Sequence, residues 1–254
     1  MQRTIELATP AKRIVSLVPS QTELLFAMGA GESVVGITKF CTEPSESVAV
    51  IKKVGGTKQF DFAAIAALKP DLIIGNKEEN YPEGIEQLAQ DYPVWMSDIV
   101  TLEDSLAMIR GLGELSGKVH EAAEMANTIS NRFNELRDQS FPPAKVAYFI
   151  WQKPYMVAGG DTFIDDMLQY GGMHNAFATT ARYPEITTDE LVGSEVEVIL
   201  LSSEPFPFRE KHLQAFQAAL PDKKIILVDA MPFSWYGSQL LRTPAYLREL
   251  RTKF

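Results

Sequence analysis

The chain has 254 residues, of which 46% are hydrophobic and 22% charged, and a formal net charge of −9. That is apolar material for one large core or two modest ones, and the negative balance argues against nucleic acid or an anionic membrane surface as the main partner. Cys41 is the single cysteine, which excludes an intramolecular disulfide and a cysteine-rich metal site.

No stretch approaches the roughly 18 uninterrupted apolar residues of a membrane span. The opening MQRTIELATPAKRIVSLVPS has no apolar run before a small-residue cleavage site, and no cysteine to take a lipid. Read literally, these residues predict a chain that is not exported.

Short apolar runs alternate with helical patterns, the signature of an α/β fold with largely parallel strands. The first half predicts strands at RIVSLV, SVVGIT, DLIIGN and YPVWMS. The second predicts them at KVAYFIW, a short MHNAF, VEVILLS and KKIILVD. Between them, Val119, Ala122, Met125, Ala126, Ile129, Phe133 and Leu136 follow helical spacing. From Gly117 to Gln139 they predict one helix of about 35 Å, an apolar-striped strut rather than a Gly/Ser-rich linker.

The halves echo one another. IVSLVPSQTELLFAMGAG and AYFIWQKPYMVAGGDTFIDDMLQYGG both read strand, loop, helix, glycine turn. FDFAAIAALKPDLIIGN and ITTDELVGSEVEVILLSS both read short helix, buried strand. The expected architecture is two similar Rossmann-like α/β lobes: residues 1–103, a helical linker over 104–141, and residues 142–254. Ligand sites in such folds lie beyond the carboxyl ends of the strands, so the ligand is expected in a cleft between the lobes.

In VPSQTELLFAMGAG, Ser20 is read as the N-cap of a helix, with Glu23 three residues on completing a capping box. The loop has neither the glycines of a phosphate-binding loop nor the G-x-S-x-G of a hydrolase elbow. Its first-turn amides can still meet a ligand acceptor, which makes Pro19 and Ser20 candidate ligand contacts. Thr162 and Asp165 predict a similar cap in the second half.

His120, His174 and His212 have no second His or Cys at ligand spacing, and no nucleophile–histidine–carboxylate set stands out. No intrinsic metal or cofactor is expected. An enzyme on the same scaffold, working through Asp161 or Glu185, stays open, as does an intracellular sensor module.

Aromatic residues following strands are more informative. Phe40, beside Cys41, follows SVVGIT; Trp151 and Tyr155 follow AYFI; Phe206 and Phe208 follow VILLSSE; Trp235 and Tyr236 follow ILVDAMPF. Convergence of several on one opening would make an apolar, π-rich pocket suited to a flat or macrocyclic ligand, with Arg182 and Tyr183 adding a cation and a donor. Acidic helix starts also correspond: Glu79 and Glu83 around Pro82, Glu204 and Glu210 after VILLSS. They complement helix dipoles, or form a two-point dock for arginines of a partner.

RIVSLVPSQTELLFAMGAGESVVGITKFCTEP, VGGTKQFDFAAIAALKPDLIIGNKEEN, GGDTFIDDMLQYGGMHNAF and RYPEITTDELVGSEVEVILLSSEPFPF resemble the helical-backbone metal receptors. These are the substrate-binding proteins of ABC importers for vitamin B12, ferric siderophores and haem, and the B12-binding branch is the most similar. The resemblance spans nearly the whole chain, with KPDLII its most diagnostic piece. It implies a monomeric, non-enzymatic receptor in the periplasm or cell envelope, for a metal chelate that carries its own metal. It also implies permease docking through one glutamate per lobe, from Glu79 or Glu83 and from Glu204 or Glu210. The ligand contacts it implies are Phe40, Trp151, Phe206 and Trp235, with Tyr236. KFCTEP departs from that pattern by placing Phe-Cys where B12 receptors more typically have a tyrosine.

Overall fold

The structure, a computed structural model, describes residues 5–254; the first four residues of the N-terminal stretch read above for an export signal lie outside them. The chain forms two compact units. The first comprises the residues through Ile99 together with Glu103–Ile129 and Tyr236–Ser238. The second comprises Val100–Leu102, Ser130–Trp235 and Gln239–Phe254.

In the first unit the predicted strands appear as β1 (Ile14–Ser16), β2 (Val34–Ile37), β6 (Leu72–Asn76) and β7 (Val94–Ser97). The helices are α1 (Pro19–Ala27), α2 (Ser45–Ala49), α3 (Phe62–Leu68) and α4 (Pro82–Asp91). Three two-residue strands had no legible pattern: β3 (Lys52–Lys53), β4 (Gly55–Gly56) and β5 (Gln59–Phe60). The main sheet is parallel and five-stranded, in the order β3-β2-β1-β6-β7. Every residue of β1 and β6 is buried, as central parallel strands covered on both faces must be. Val15, Leu17 and Ile73 pack there with Ile65, Ile85 and Leu88.

Helix α5 (Leu102–Ser116) leads to α6 (Val119–Arg137), a single helix of 19 residues. Ala122, Ala126, Ile129, Phe133 and Leu136 are fully buried, so the helical stripe is real, but it begins at Ala122. Val119, expected in the stripe, is exposed, because it is the first residue of the helix.

The second unit has β8 (Ala144–Trp151), β9 (Met156–Val157), β10 (Met173–Asn175), β11 (Val198–Ser202) and β12 (Lys224–Val228). Its helices are α7 (Phe163–Tyr170), α8 (Thr188–Gly193), α9 (Glu210–Ala219), α10 (Met231–Ser234) and α11 (Thr243–Arg251). The sheet order is β10-β8-β11-β12, all parallel, with β9 antiparallel on β8. This repeats β2-β1-β6-β7: in both units the first strand lies inside the second and pairs with the third. The internal echo in the sequence is therefore an echo of topology, and the α/β class is as expected. His174 lies within β10, in the strand expected at MHNAF.

One local expectation is corrected. Val18, not Ser20, is the N-cap of α1; Pro19 takes the first helical position and Ser20 sits inside the first turn, buried. Proline suits that position because its missing N–H would be unpaired there and its φ is already helical. No side-chain cap forms at Val18, and Thr22 N–H closes the first turn on Val18 O at 3.0 Å. Thr162 does cap α7 as expected, accepting from Asp165 N–H at 3.1 Å.

Candidate functional site

In a doubly wound parallel sheet the crevice opens beyond the strand carboxyl ends where successive connections leave in opposite directions. That point lies between β1 and β6 in the first unit and between β8 and β11 in the second.

In the first unit the strand ends are held by buried polar side chains. Asn76, the last residue of β6, accepts from Glu78 N–H at 2.8 Å and Glu79 N–H at 3.2 Å, which folds the loop before α4. Its Nδ2 donates to Ser97 Oγ at 3.0 Å, and Gln21 Nε2 donates to the same oxygen at 2.6 Å. Asn80 donates to Leu17 O at 3.2 Å and to Thr57 O at 3.1 Å. Asn76, Asn80, Ser97 and Gln21 are all buried, so each bond replaces water that burial removed.

Pro19 is half-buried in that first turn and Ser20 is buried. Cys41 is buried too, with Sγ 3.2 Å from Thr22 Oγ1 and 3.3 Å from Thr38 Oγ1. Phe40 projects outward, 51% exposed, with Lys39 Nζ 5.2 Å from its ring centre. Glu83 is exposed in the first turn of α4, and Glu79 is half-buried in the loop before it. Tyr236 is buried and belongs to this unit.

The second unit presents aromatic surface instead. Trp151 ends β8 at 39% exposure, its indole N–H donating to Lys153 O at 3.1 Å. Phe206, half-buried, meets it edge-to-face with ring centres 5.6 Å apart. Phe206 continues to Phe208 at 4.8 Å and to the imidazole of His212 at 5.2 Å. The sequence reading did not join His212 to this group; the Phe208–His212 spacing, four residues apart at the start of α9, was the available signal. Loss of hydration, with Lys211 and Arg209 nearby, holds the His212 imidazole below its ordinary pKa. The neutral ring then accepts Arg209 N–H at Nδ1, at 2.9 Å.

The remaining candidates divide. Tyr155 turns inward, packing on Phe149 at 5.7 Å and Phe216 at 5.3 Å. Arg182 is exposed with φ +66°, its guanidinium 5.7 Å from the Tyr183 ring and donating to Asp161 O at 3.1 Å. Trp235 is half-buried just after α10. Glu204 is exposed in the loop after β11, and Glu210 is exposed as the first residue of α9. Among the described residues no three His, Cys, Asp or Glu side chains are gathered as metal ligands.

The family model for periplasmic binding proteins matches residues 14–223. The chain belongs to this family. It is a substrate-binding protein, not an enzyme. It is similar to the vitamin B12-binding protein of Vibrio parahaemolyticus serotype O3:K6, 27% identical over 197 residues that span 76% of this chain and 71% of that protein. The fold is that of the periplasmic vitamin B12-binding protein of Vibrio cholerae, with a TM-score of 0.81, 23% identity, and 96% of this chain and 97% of that one covered. The periplasmic haem-binding protein of Roseiflexus sp. RS-1 in its apo form has the same fold, with a TM-score of 0.78, 23% identity, and 96% and 97% covered. Members of the family are periplasmic binding proteins, and no described helix of this one is long and apolar enough to cross a membrane.

Proposed function

We propose that this periplasmic binding protein serves an ABC importer, binding a metal-chelate ligand and delivering it to a permease. A corrinoid is the foremost candidate, with haem and ferric siderophores next. The observation that carries the reading is the Trp151–Phe206 pair at the carboxyl ends of β8 and β11. A flat macrocycle has broad apolar faces to lay on such rings and a polar rim for groups such as Arg182 and Tyr183.

An aromatic side chain of roughly 150–250 Å² that is 39% exposed leaves roughly 60–100 Å² for a ligand to cover. At roughly 25 cal/mol per Å² that contributes about 1.5–2.5 kcal/mol to binding. The metal arrives with the ligand, held by the chelate itself, so the protein has no need of a ligand set of its own. The likeness to a vitamin B12-binding protein supports the choice of a corrinoid, and the shared fold with a haem-binding protein is compatible with haem as the next candidate.

Glu83 and Glu210 stand exposed at the starts of α4 and α9, with Glu79 and Glu204 in the loops before them. Equivalent carboxylates on the two units support a dock in which permease arginines meet one glutamate on each. The protein acts as a monomer, in the periplasm.

The test is isothermal titration with cyanocobalamin, with haem and a ferric hydroxamate in parallel. Micromolar or tighter binding to one of them, at roughly −8 kcal/mol or better, names the ligand class. Silence from all three sinks the reading.

A further inference from the structure

Phe206 lies in an exposed loop, yet its ring is held edge-to-face against Trp151. Ser202, the last residue of β11, supplies the constraint. A serine hydroxyl can donate once and accept twice, and here all three are used. Ser202 Oγ donates to Glu204 O at 2.6 Å and accepts from Glu204 N–H at 3.3 Å. It is also 3.0 Å from the Tyr148 hydroxyl. With its one proton on Glu204 O, Ser202 accepts from Tyr148.

Tyr148 is fully buried, which pushes its ionisation far above the ordinary phenol range and keeps it a neutral donor. Two bonds to one residue fold the chain tightly at Glu204. Phe206 N–H then reaches Ile150 O at 3.2 Å, beside Trp151.

The first unit has the same device. Asn76 ends the equivalent strand β6, and its side chain accepts from Glu78 N–H, two residues on, as Ser202 accepts from Glu204 N–H. Side chains of different chemistry make the same strand-end bond at the same place in both repeats, and both loops lead to an exposed acidic helix start.

We propose that Ser202 is a positioning residue. It does not touch the ligand; it sets the loop that seats Phe206 on Trp151 and so pre-forms the aromatic binding face. This rests on the ligand reading above, but it can be tested without a ligand.

Trp95→Phe and Trp235→Phe leave Trp151 as the single indole for acrylamide quenching. In that background Ser202→Ala is expected to raise the Trp151 quenching constant about twofold, as the Phe206 ring leaves the indole. In the otherwise unaltered protein, Ser202→Ala is expected to weaken binding of the chelate found by titration by about tenfold, because ordering of the loop is then charged to binding. Thr187→Ala, which removes the cap of α8, is the control of comparable thermal cost and should change neither readout. If Ser202→Ala does not fold, Ser202→Cys, close in shape with weaker hydrogen bonds, replaces it and should shift both readouts in the same direction.

Equal quenching of Trp151 in parent and variant overturns the proposal, as does equal change in the Thr187→Ala control. A raised quenching constant in a protein that binds none of the three chelates supports Ser202 as the positioning residue and overturns the ligand reading instead.

Discussion

Trp151 and Phe206, 55 residues apart in sequence, meet edge-to-face at 5.6 Å because β8 and β11 are neighbours in a parallel sheet and end side by side. The pair leaves Trp151 39% exposed to solvent with its ring packed against Phe206. Such a surface is costly to keep in water and gains when a flat apolar ligand covers it.

Removing either ring should therefore separate binding from stability. Trp151→Ala is expected to weaken chelate binding on the order of tenfold or more with a small change in Tm, since the side chain is 39% exposed. Phe206→Ala should weaken binding and also lower Tm, because Phe206 contacts Phe208 and His212. Titration calorimetry and thermal melts on both variants check this; unaltered affinity in Trp151→Ala counts against the aromatic face.

Charge reversal of Glu83 and Glu210 to lysine should leave chelate affinity intact and abolish capture by a permease of the B12 type. Both carboxylates are exposed, so little stability is at stake. Pull-down with the detergent-solubilised permease reads the outcome, and undiminished capture by the double variant removes these residues from the dock.

The two helix starts make a paired test of capping. Thr162 Oγ1 accepts from Asp165 N–H and donates to Gly159 O at 2.9 Å, so Thr162→Ala should cost about 1 kcal/mol or more. Ser20 is not a cap, and Ser20→Ala should cost clearly less. Urea unfolding of both variants decides the order; a larger loss at Ser20 would contradict the assignment of Val18 as N-cap.

The His212 imidazole carries a pH dependence of definite sign. Its folded pKa lies below the ordinary value because burial, Lys211 and Arg209 all disfavour the charged ring. As pH falls, the unfolded chain takes up this proton first. The stabilisation is complete above the unfolded value of about 6.5 and is lost as pH falls from there through the lower folded value. An NMR titration of His212 should give a midpoint below that of a free imidazole, and a midpoint above it would mean that Arg209 N–H is not its partner.

Gly159→Ala should disrupt the segment that carries Arg182. Gly159 N–H donates to Arg182 O at 2.8 Å, and a Cβ at this position would collide with the Thr180 carbonyl. Backbone against backbone cannot yield as a flexible side chain can. A marked drop in Tm is expected, and a melt within a degree or two of the parent would show that the segment is free to move.

Where burial enforces a pattern, the sequence could be read. β6 and β11 sit inside their sheets with every residue buried, so LIIGN and VILLS are continuous apolar runs. Ala122, Ala126, Ile129, Phe133 and Leu136 recur at helical spacing because one face of α6 is packed. Edges escaped notice for the converse reason. β3 is two exposed lysines, and β4 and β5 pair through Gly55–Phe60 and Gly56–Gln59, too short for any periodicity. The capping box at Ser20 was a pattern match that proline overruled, because φ at Pro19 was already helical and the helix began two residues early.

The residues alone determined the α/β class, the repeat of one strand–helix unit and the family, since each is written in local periodicity and in motifs spread along nearly the whole chain. Only the tertiary structure decided which aromatic residues meet. Trp151 ends β8 and Tyr155 lies four residues on in the following loop, yet Tyr155 packs on Phe149 and Phe216 while Trp151 stays exposed beside Phe206. Nor does local pattern reveal that Ser202 joins Tyr148 to Glu204, or that Tyr236–Ser238 belongs to the first unit. Such partners lie far apart in sequence and are brought together by strand order and loop path, which no short window of residues encodes.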